Sequence, residues 1–331
     1  MAVARDDRPP AGTGGRGERT EGEDADSPRG IPPAGWRYVL RRVARQLLDE
    51  RLTVQSAGVA FFAVLSVAPV LATALSIYGV VNTPESAHRQ LSEVAEMLPP
   101  DLERVVADQL TTITAASAQV LTWRGLTGLL VALWTATTAM TYLIDGVGIA
   151  YHQTETRSLL RRSGLALLFV LGGAVVLAGL ITVATVLAGA LAGAPGPVRA
   201  AASVASWVAV AALMTVALAV LYRFAPDRTQ AQWRWISVGS VLATAAWLAT
   251  TLGFFTYVQN LGNYQSTYGS LAGVAISMFW LWTTVTLVFL GAAVNAETER
   301  QTACDSTVGP ERPPGDRGAV VADSTPPYPG D

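Results

Sequence analysis

From Trp235 to Ala296 the chain runs 62 residues without an Asp, Glu, Lys, Arg or His. A short polar patch, Gln259-Asn260-Leu261-Gly262-Asn263-Tyr264, interrupts the run near its middle. As α-helix at about 1.5 Å per residue the run would be roughly 90 Å long. That suffices for two crossings of a hydrocarbon layer about 30 Å thick with a turn between them. The run therefore predicts a membrane hairpin, and the composition agrees. The chain is 51% hydrophobic and 15% charged, against about 25% charged in an average soluble domain.

Six apolar segments have spanning length, at 54–81, 126–149, 164–187, 200–222, 236–257 and 271–294. Lipid offers no partner to open backbone groups, so the spans must be helical, and none shows the alternation of a barrel strand. The expected fold is an all-α polytopic membrane helix bundle with six transmembrane helices, occupying residues 36–300. Residues 1–35 and 301–331 are poor in apolar residues and rich in Pro, Gly and charge, which predicts disordered tails. The first apolar stretch starts near Val54, too late and too long for a cleaved secretory peptide, so it reads as a signal anchor.

Every one of the 23 basic residues is Arg, and their distribution sets an expected orientation. Arg37, Arg41, Arg42, Arg45, Arg51, Arg157, Arg161, Arg162, Arg223, Arg228, Arg234 and Arg300 fall on one side of the spans; Arg89, Arg104, Arg124 and Arg199 fall on the other. Positively charged loops stay in the cytoplasm, which predicts two cytoplasmic termini in a plasma membrane. The long outer loop, 82–124, places Pro and an acid at two helix starts, Pro84-Glu85 and Pro99-Pro100-Asp101, and predicts two short amphipathic helices. They would form either a cap or a lid.

Ionisable groups inside a bilayer mark functional sites by default, and Asp145 is the one candidate within the spans. It lies near the inner end of span two, where water or Arg157 could cap it; Thr135, Thr138 and Tyr142 form a polar stripe behind it, although threonines commonly bond back to their own helix. Pro69 interrupts span one beside Ser66 and predicts a kink. The single cysteine, Cys304, and two histidines, His88 and His152, on opposite sides of the membrane supply no metal site. Metalloprotease, Walker A and hydrolase motifs are missing, and no cofactor or catalytic residue is expected. A net charge of -2 gives no basic footprint for nucleic acid. The expected partners are membrane lipids, with a small molecule or a lipid as substrate; the sequence leaves a homo-oligomer open.

Several segments carry a resemblance. Ser56-Ala57-Gly58-Val59-Ala60-Phe61-Phe62 through Ser66 and Pro69, then Glu155-Thr156-Arg157, Tyr222-Arg223-Phe224-Ala225-Pro226, Gly239, Trp247, Asn263-Tyr264, Tyr268-Gly269-Ser270, Trp280 and Gly291-Ala292-Ala293-Val294-Asn295-Ala296 are similar in order and spacing to the YihY/BrkB family of bacterial inner-membrane proteins, once labelled ribonuclease BN. The resemblance covers roughly residues 36–300. It implies a six-helix membrane protein of unsettled activity, often taken for a transporter. Relatives commonly carry Glu in the last span where this chain has Ala293. The expected function is transport or lipid and solute handling, with a site drawn from Ser66, Pro69, Asp145, Glu155, Arg157, Asn263, Tyr264, Tyr268 and Gly269. The alternative is an envelope scaffold acting through its outer loop, and a membrane-associated ribonuclease ranks last.

Overall fold

All six predicted spans are helical in the computed structural model, which describes residues 22–48, 50–81, 118–191, 193, 195–260 and 272–324. Among these residues there are eight α-helices and no strand: α1 Pro33–Leu47, α2 Glu50–Val81, α3 Ala118–Ala150, α4 Leu159–Ala190, α5 Gly196–Phe224, α6 Trp233–Asn260, α7 Ala272–Glu299 and the single turn α8 Val320–Asp323. Helices α2 to α7 carry the spans. Each runs a few residues past its apolar window, because helical hydrogen bonding continues into the interface after hydrophobicity stops. Prolines open α1 and α5, where a missing N–H is harmless. Pro69 does not end α2, which passes through it; the Ser66 hydroxyl donates to the Ala63 carbonyl one turn back, 2.7 Å away.

Helices α2 and α3 form the most extensive pair, and α7 is the hub of the bundle, packing on α6, α2, α3 and α1. Helix α5 leans on α6, while α4 leans on α3. Burial among the described residues is concentrated at the end that bears residues 22–48 and 300–324, called the terminal end below. There Leu52 and Val59 of α2, Ile144 and Val147 of α3, Leu221 and Tyr222 of α5, Ile236 of α6 and Phe289 and Ala292 of α7 share one core. Toward the opposite end large apolar side chains stay exposed, among them Leu130 of α3, Val183 of α4, Val204 of α5, Leu252 of α6 and Phe279 of α7. Among the described residues the terminal end therefore holds the larger shared core.

Parts of the two segments expected to be disordered, 22–35 and 301–324, are among the described residues and are ordered; the rest of both lies outside them. Residues 22–35 and 301–324 are folded onto the terminal end. Thr302 donates to the carbonyl of Ala25 at 2.7 Å, and Ala303 N–H to that of Glu23 at 2.9 Å. Ala25 and Ile31 are buried with Trp235. Ala231 and Thr307 form an antiparallel bridge, and Gln232 N–H donates to the Ser306 carbonyl at 2.9 Å. Arg317, 3% exposed, donates to the carbonyls of Ala322 and Ala303. Backbone hydrogen bonds and one buried guanidinium order a segment with little apolar surface, a device that composition does not register. Of the predicted outer loop, residues 82–117 lie outside the described residues, as do 1–21 and 325–331.

Candidate functional site

Helix α3 ends in a left-handed turn that sets up the polar site. Gln153 N–H donates to the Gly148 carbonyl and His152 N–H to that of Ile149, both at 2.9 Å, with His152 at φ 55. This is the double hydrogen bond of a Schellman cap, with histidine at the position that glycine usually fills. The His152 ring is held against Glu297 of α7, 3.1 Å away. The cap turns the chain so that Gln153, Thr154 and Glu155 face Asp145, Gly148 and Ile149 of α3, Arg162 of α4 and Asp227 of the α5–α6 loop, around a pocket of about 330 Å3.

Two of the residues singled out from sequence, Asp145 and Glu155, line this pocket, and a third, Arg157, is bonded to Glu155. Asp145 pairs with Arg162, from the first turn of α4, and not with Arg157. The antiparallel packing of α4 on α3 puts Arg162 level with Asp145, whereas Arg157 is occupied elsewhere. It grips Glu155 with two bonds, at 2.8 and 2.7 Å, and donates to the Ala225 carbonyl at 2.6 Å. The Arg157 guanidinium holds the Glu155 carboxyl below the usual carboxylate range. Burial acts to raise Asp227, but the hydroxyl and amide of Thr156, at 2.5 and 2.9 Å, outweigh it and hold this carboxyl low as well. The α3–α4 loop is thereby clamped to the end of α5. Among the described residues no group of three or more His, Cys, Asp or Glu side chains could hold a metal ion.

A second polar layer joins α7 to its neighbours. Glu297, whose side chain is 2% exposed, accepts from Arg42 of α1 at 2.5 Å and from Arg300 at 3.3 Å. Glu299 is buried and accepts from Arg228 at 2.6 Å and from Ser306 at 2.9 Å. One turn deeper, Asn295 accepts from Gly239 N–H at 2.7 Å, and Tyr222 donates to the Val288 carbonyl at 2.8 Å. Gly239 and Gly291 face each other so closely that a Cβ on Gly239 would collide with the Gly291 carbonyl. Tyr222, Gly239, Gly291 and Asn295, four of the residues that carry the family resemblance, therefore meet at one tight helix crossing. Glu297 and Glu299 went unnoticed in the sequence. Their signal was two acids directly after 62 uncharged residues.

Toward the opposite end α6 and α7 part around an apolar cleft of about 720 Å3, lined by Thr250, Gly253, Phe254, Tyr257, Val258, Ala275, Ile276 and Phe279. Phe254 and Phe279 stack across it with ring centroids 5.9 Å apart. Ser66 is not brought to Asp145. Gln55 of α2 bonds the Tyr142 carbonyl, and Ser66 lies three turns, roughly 16 Å, further along that helix. Thr135 and Thr138 bond back to carbonyls of their own helix. Asn263, Tyr264, Tyr268 and Gly269 lie outside the described residues.

Six long apolar helices, closed at one end by buried ion pairs, define a polytopic helical membrane protein. Comparison with known sequences makes the assignment specific: the family model described as Virulence factor BrkB matches residues 43–316, and the chain belongs to that family. YfkH of Bacillus subtilis, whose name calls it ribonuclease-like, is 27% identical over 250 residues, covering 73% of this chain and 88% of its own. A UPF0761 membrane protein of Ralstonia nicotianae is 24% identical over 262 residues, 78% of this chain and 57% of its own. One of Methylibium petroleiphilum is 21% identical over 263 residues, 79% and 62%. The chain thus spans less than two thirds of these two membrane proteins. No solved structure matches.

Proposed function

We propose that this chain is a transporter or lipid-handling protein of the bacterial plasma membrane, with both termini cytoplasmic, and that it takes an apolar or amphipathic cargo into the cleft between α6 and α7. The observation that carries this reading is the cleft itself. Its volume, about 720 Å3, falls within the roughly 300–1,000 Å3 of pockets that hold small molecules. Its walls come from the charge-free run, so they offer a cargo apolar and aromatic contacts and no ion partner. Asp145, the acid nearest the core of the spans, is already neutralised by Arg162. The ion pairs at the terminal end form a closed base beneath the cleft, an arrangement that suits a protein open toward one face of the membrane.

The alternative, a non-transporting scaffold, draws on the same ion-paired base, which is built from both terminal segments and would make a rigid platform. The experiment is reconstitution of the purified chain in liposomes, with fluorescent phospholipids and a panel of neutral and amphipathic solutes. The wild type moves at least one class faster than protein-free liposomes. Gly253→Trp, at a position where an added side chain meets open space, fills the cleft and slows that movement tenfold or more without lowering thermal stability. If nothing in the panel moves, the scaffold reading replaces this one. Metal-dependent RNA cleavage by the purified chain, lost in Asp145→Asn or Glu155→Gln, would overturn both.

A further inference from the structure

We propose that α1 lies in the plane of the membrane surface and that Arg37, Arg41 and Arg45 bind the phosphate groups of anionic phospholipids there. Helix α1 has three faces at helical spacing. Gly35, Val39 and Val43 are buried, the two valines against Ala293 and Val294 of α7. Leu40, Ala44 and Leu48 form an exposed apolar stripe on the far side of the helix, about 140° around from that face at roughly 100° per residue, with Leu40 51% and Leu48 83% exposed. Arg37, Arg41 and Arg45 form the next stripe, four residues apart, all exposed. Among the described residues none of these three arginines has a carboxylate partner. Arg42, pointing elsewhere on the wheel, is bonded to Glu297 and Gln301 and fixes the rotation of the helix.

The placement of α1 gives these stripes a meaning. Its valines pack on the last turns of the α7 span, and Gln46 bonds the Ala150 carbonyl where the α3 span ends, at 2.9 Å. Helix α1 therefore sits where the spans leave the hydrocarbon. At that depth Leu40 and Leu48 enter the acyl region while the arginines reach outward to the headgroup phosphates. The start of α4 repeats the pattern: Leu159 and Leu160, 78% and 87% exposed, precede exposed Arg161. A helix meant for water alone would not expose leucines beside its arginines, and one meant for hydrocarbon alone would not carry three exposed guanidinium groups. Anionic phospholipid satisfies both stripes at once.

The test uses the full chain in mixed micelles holding equal phosphatidylglycerol and phosphatidylcholine, with the retained lipids counted by native mass spectrometry. The wild type retains phosphatidylglycerol in preference, on the order of fivefold per arginine at low ionic strength. That preference weakens steadily toward 0.5 M salt, roughly where screening shortens to a few ångströms. The triple variant Arg37→Gln, Arg41→Gln, Arg45→Gln loses it, and the triple Arg→Lys variant keeps it. Equal retention of both lipids by the wild type overturns the proposal, as does a preference indifferent to salt, which holds even if the glutamine variant fails to fold. RNA oligonucleotide binding that requires the three arginines, without a lipid preference, overturns it in favour of a nucleic-acid surface.

Discussion

Arg228 and Glu299 retain 2% and 0% of their side-chain exposure while 2.6 Å apart. Two such charges stay in place because they face each other and because Ser306 and the Thr229 carbonyl complete part of their bonding. Removing one leaves the other uncompensated. Glu299→Leu or Arg228→Met alone is therefore expected to lower stability by about 3–5 kcal/mol, and the double variant Arg228→Met, Glu299→Leu by less than either. Thermal unfolding in detergent, read as a double-mutant cycle, checks this, and additive losses would mean the pair is not coupled. Gly239 is a steric case. An Ala there must displace the Gly291 carbonyl and Asn295, for an expected loss of about 1–3 kcal/mol. Ala at Gly253, which faces open space, should be close to neutral. The Glu155 and Arg157 pair titrates. Glu155 is held below its ordinary range in the folded state, so its contribution is present above that range and disappears as pH falls through the lowered value. Hydrogen-exchange protection of the α3–α4 loop, corrected for the intrinsic pH dependence of exchange, should fall in that acidic window in the wild type and fall less in Glu155→Gln, where Asp227, held low by Thr156, still titrates against the loop.

Among the elements, the helices were legible in the sequence and their partners were not. Hydrophobic length reports that a segment crosses a membrane, and six segments did so. It says nothing of the rotation of each helix, because lipid and protein interior are equally apolar. The choice of partners rests on small residues and buried polar groups, such as Gly239 against Gly291 and Asn295 on the Gly239 amide, and these appeared in the sequence only as a family resemblance. The site was legible in part. Asp145 and Glu155 line one pocket and Arg157 is bonded to Glu155, but the partner of Asp145 is Arg162, and Asp227 joined from a loop 72 residues beyond Glu155. The ordered terminal segments escaped notice because they are held by backbone bonds. The Ala293 side chain is buried against Val39 and Val43 of α1. Ala293→Glu should therefore place an unpaired carboxylate among valines and loosen α1 from α7, seen as faster proteolysis ahead of residue 50. Unchanged proteolysis would mean that a neighbouring arginine accepts it.

Across the whole molecule, polarity and packing change together along the bundle axis. The terminal end holds the ion pairs of Glu297, Glu299, Glu155 and Asp145 and the densest apolar core. The other end holds the cleft between α6 and α7, with walls free of charge. A long run without charge thus does more than cross the membrane: its first and last turns carry the tight crossing, and its middle lines the space. The most direct test is photo-crosslinking of the reconstituted chain with a phospholipid carrying a photoreactive acyl chain, followed by peptide mapping. Adducts are expected to concentrate on Thr250 to Val258 of α6 and Ala275 to Phe279 of α7, and to fall in Gly253→Trp. Adducts spread evenly over the exposed faces of α4 and α5 as well, and unchanged by Gly253→Trp, would contradict a cleft that receives apolar cargo.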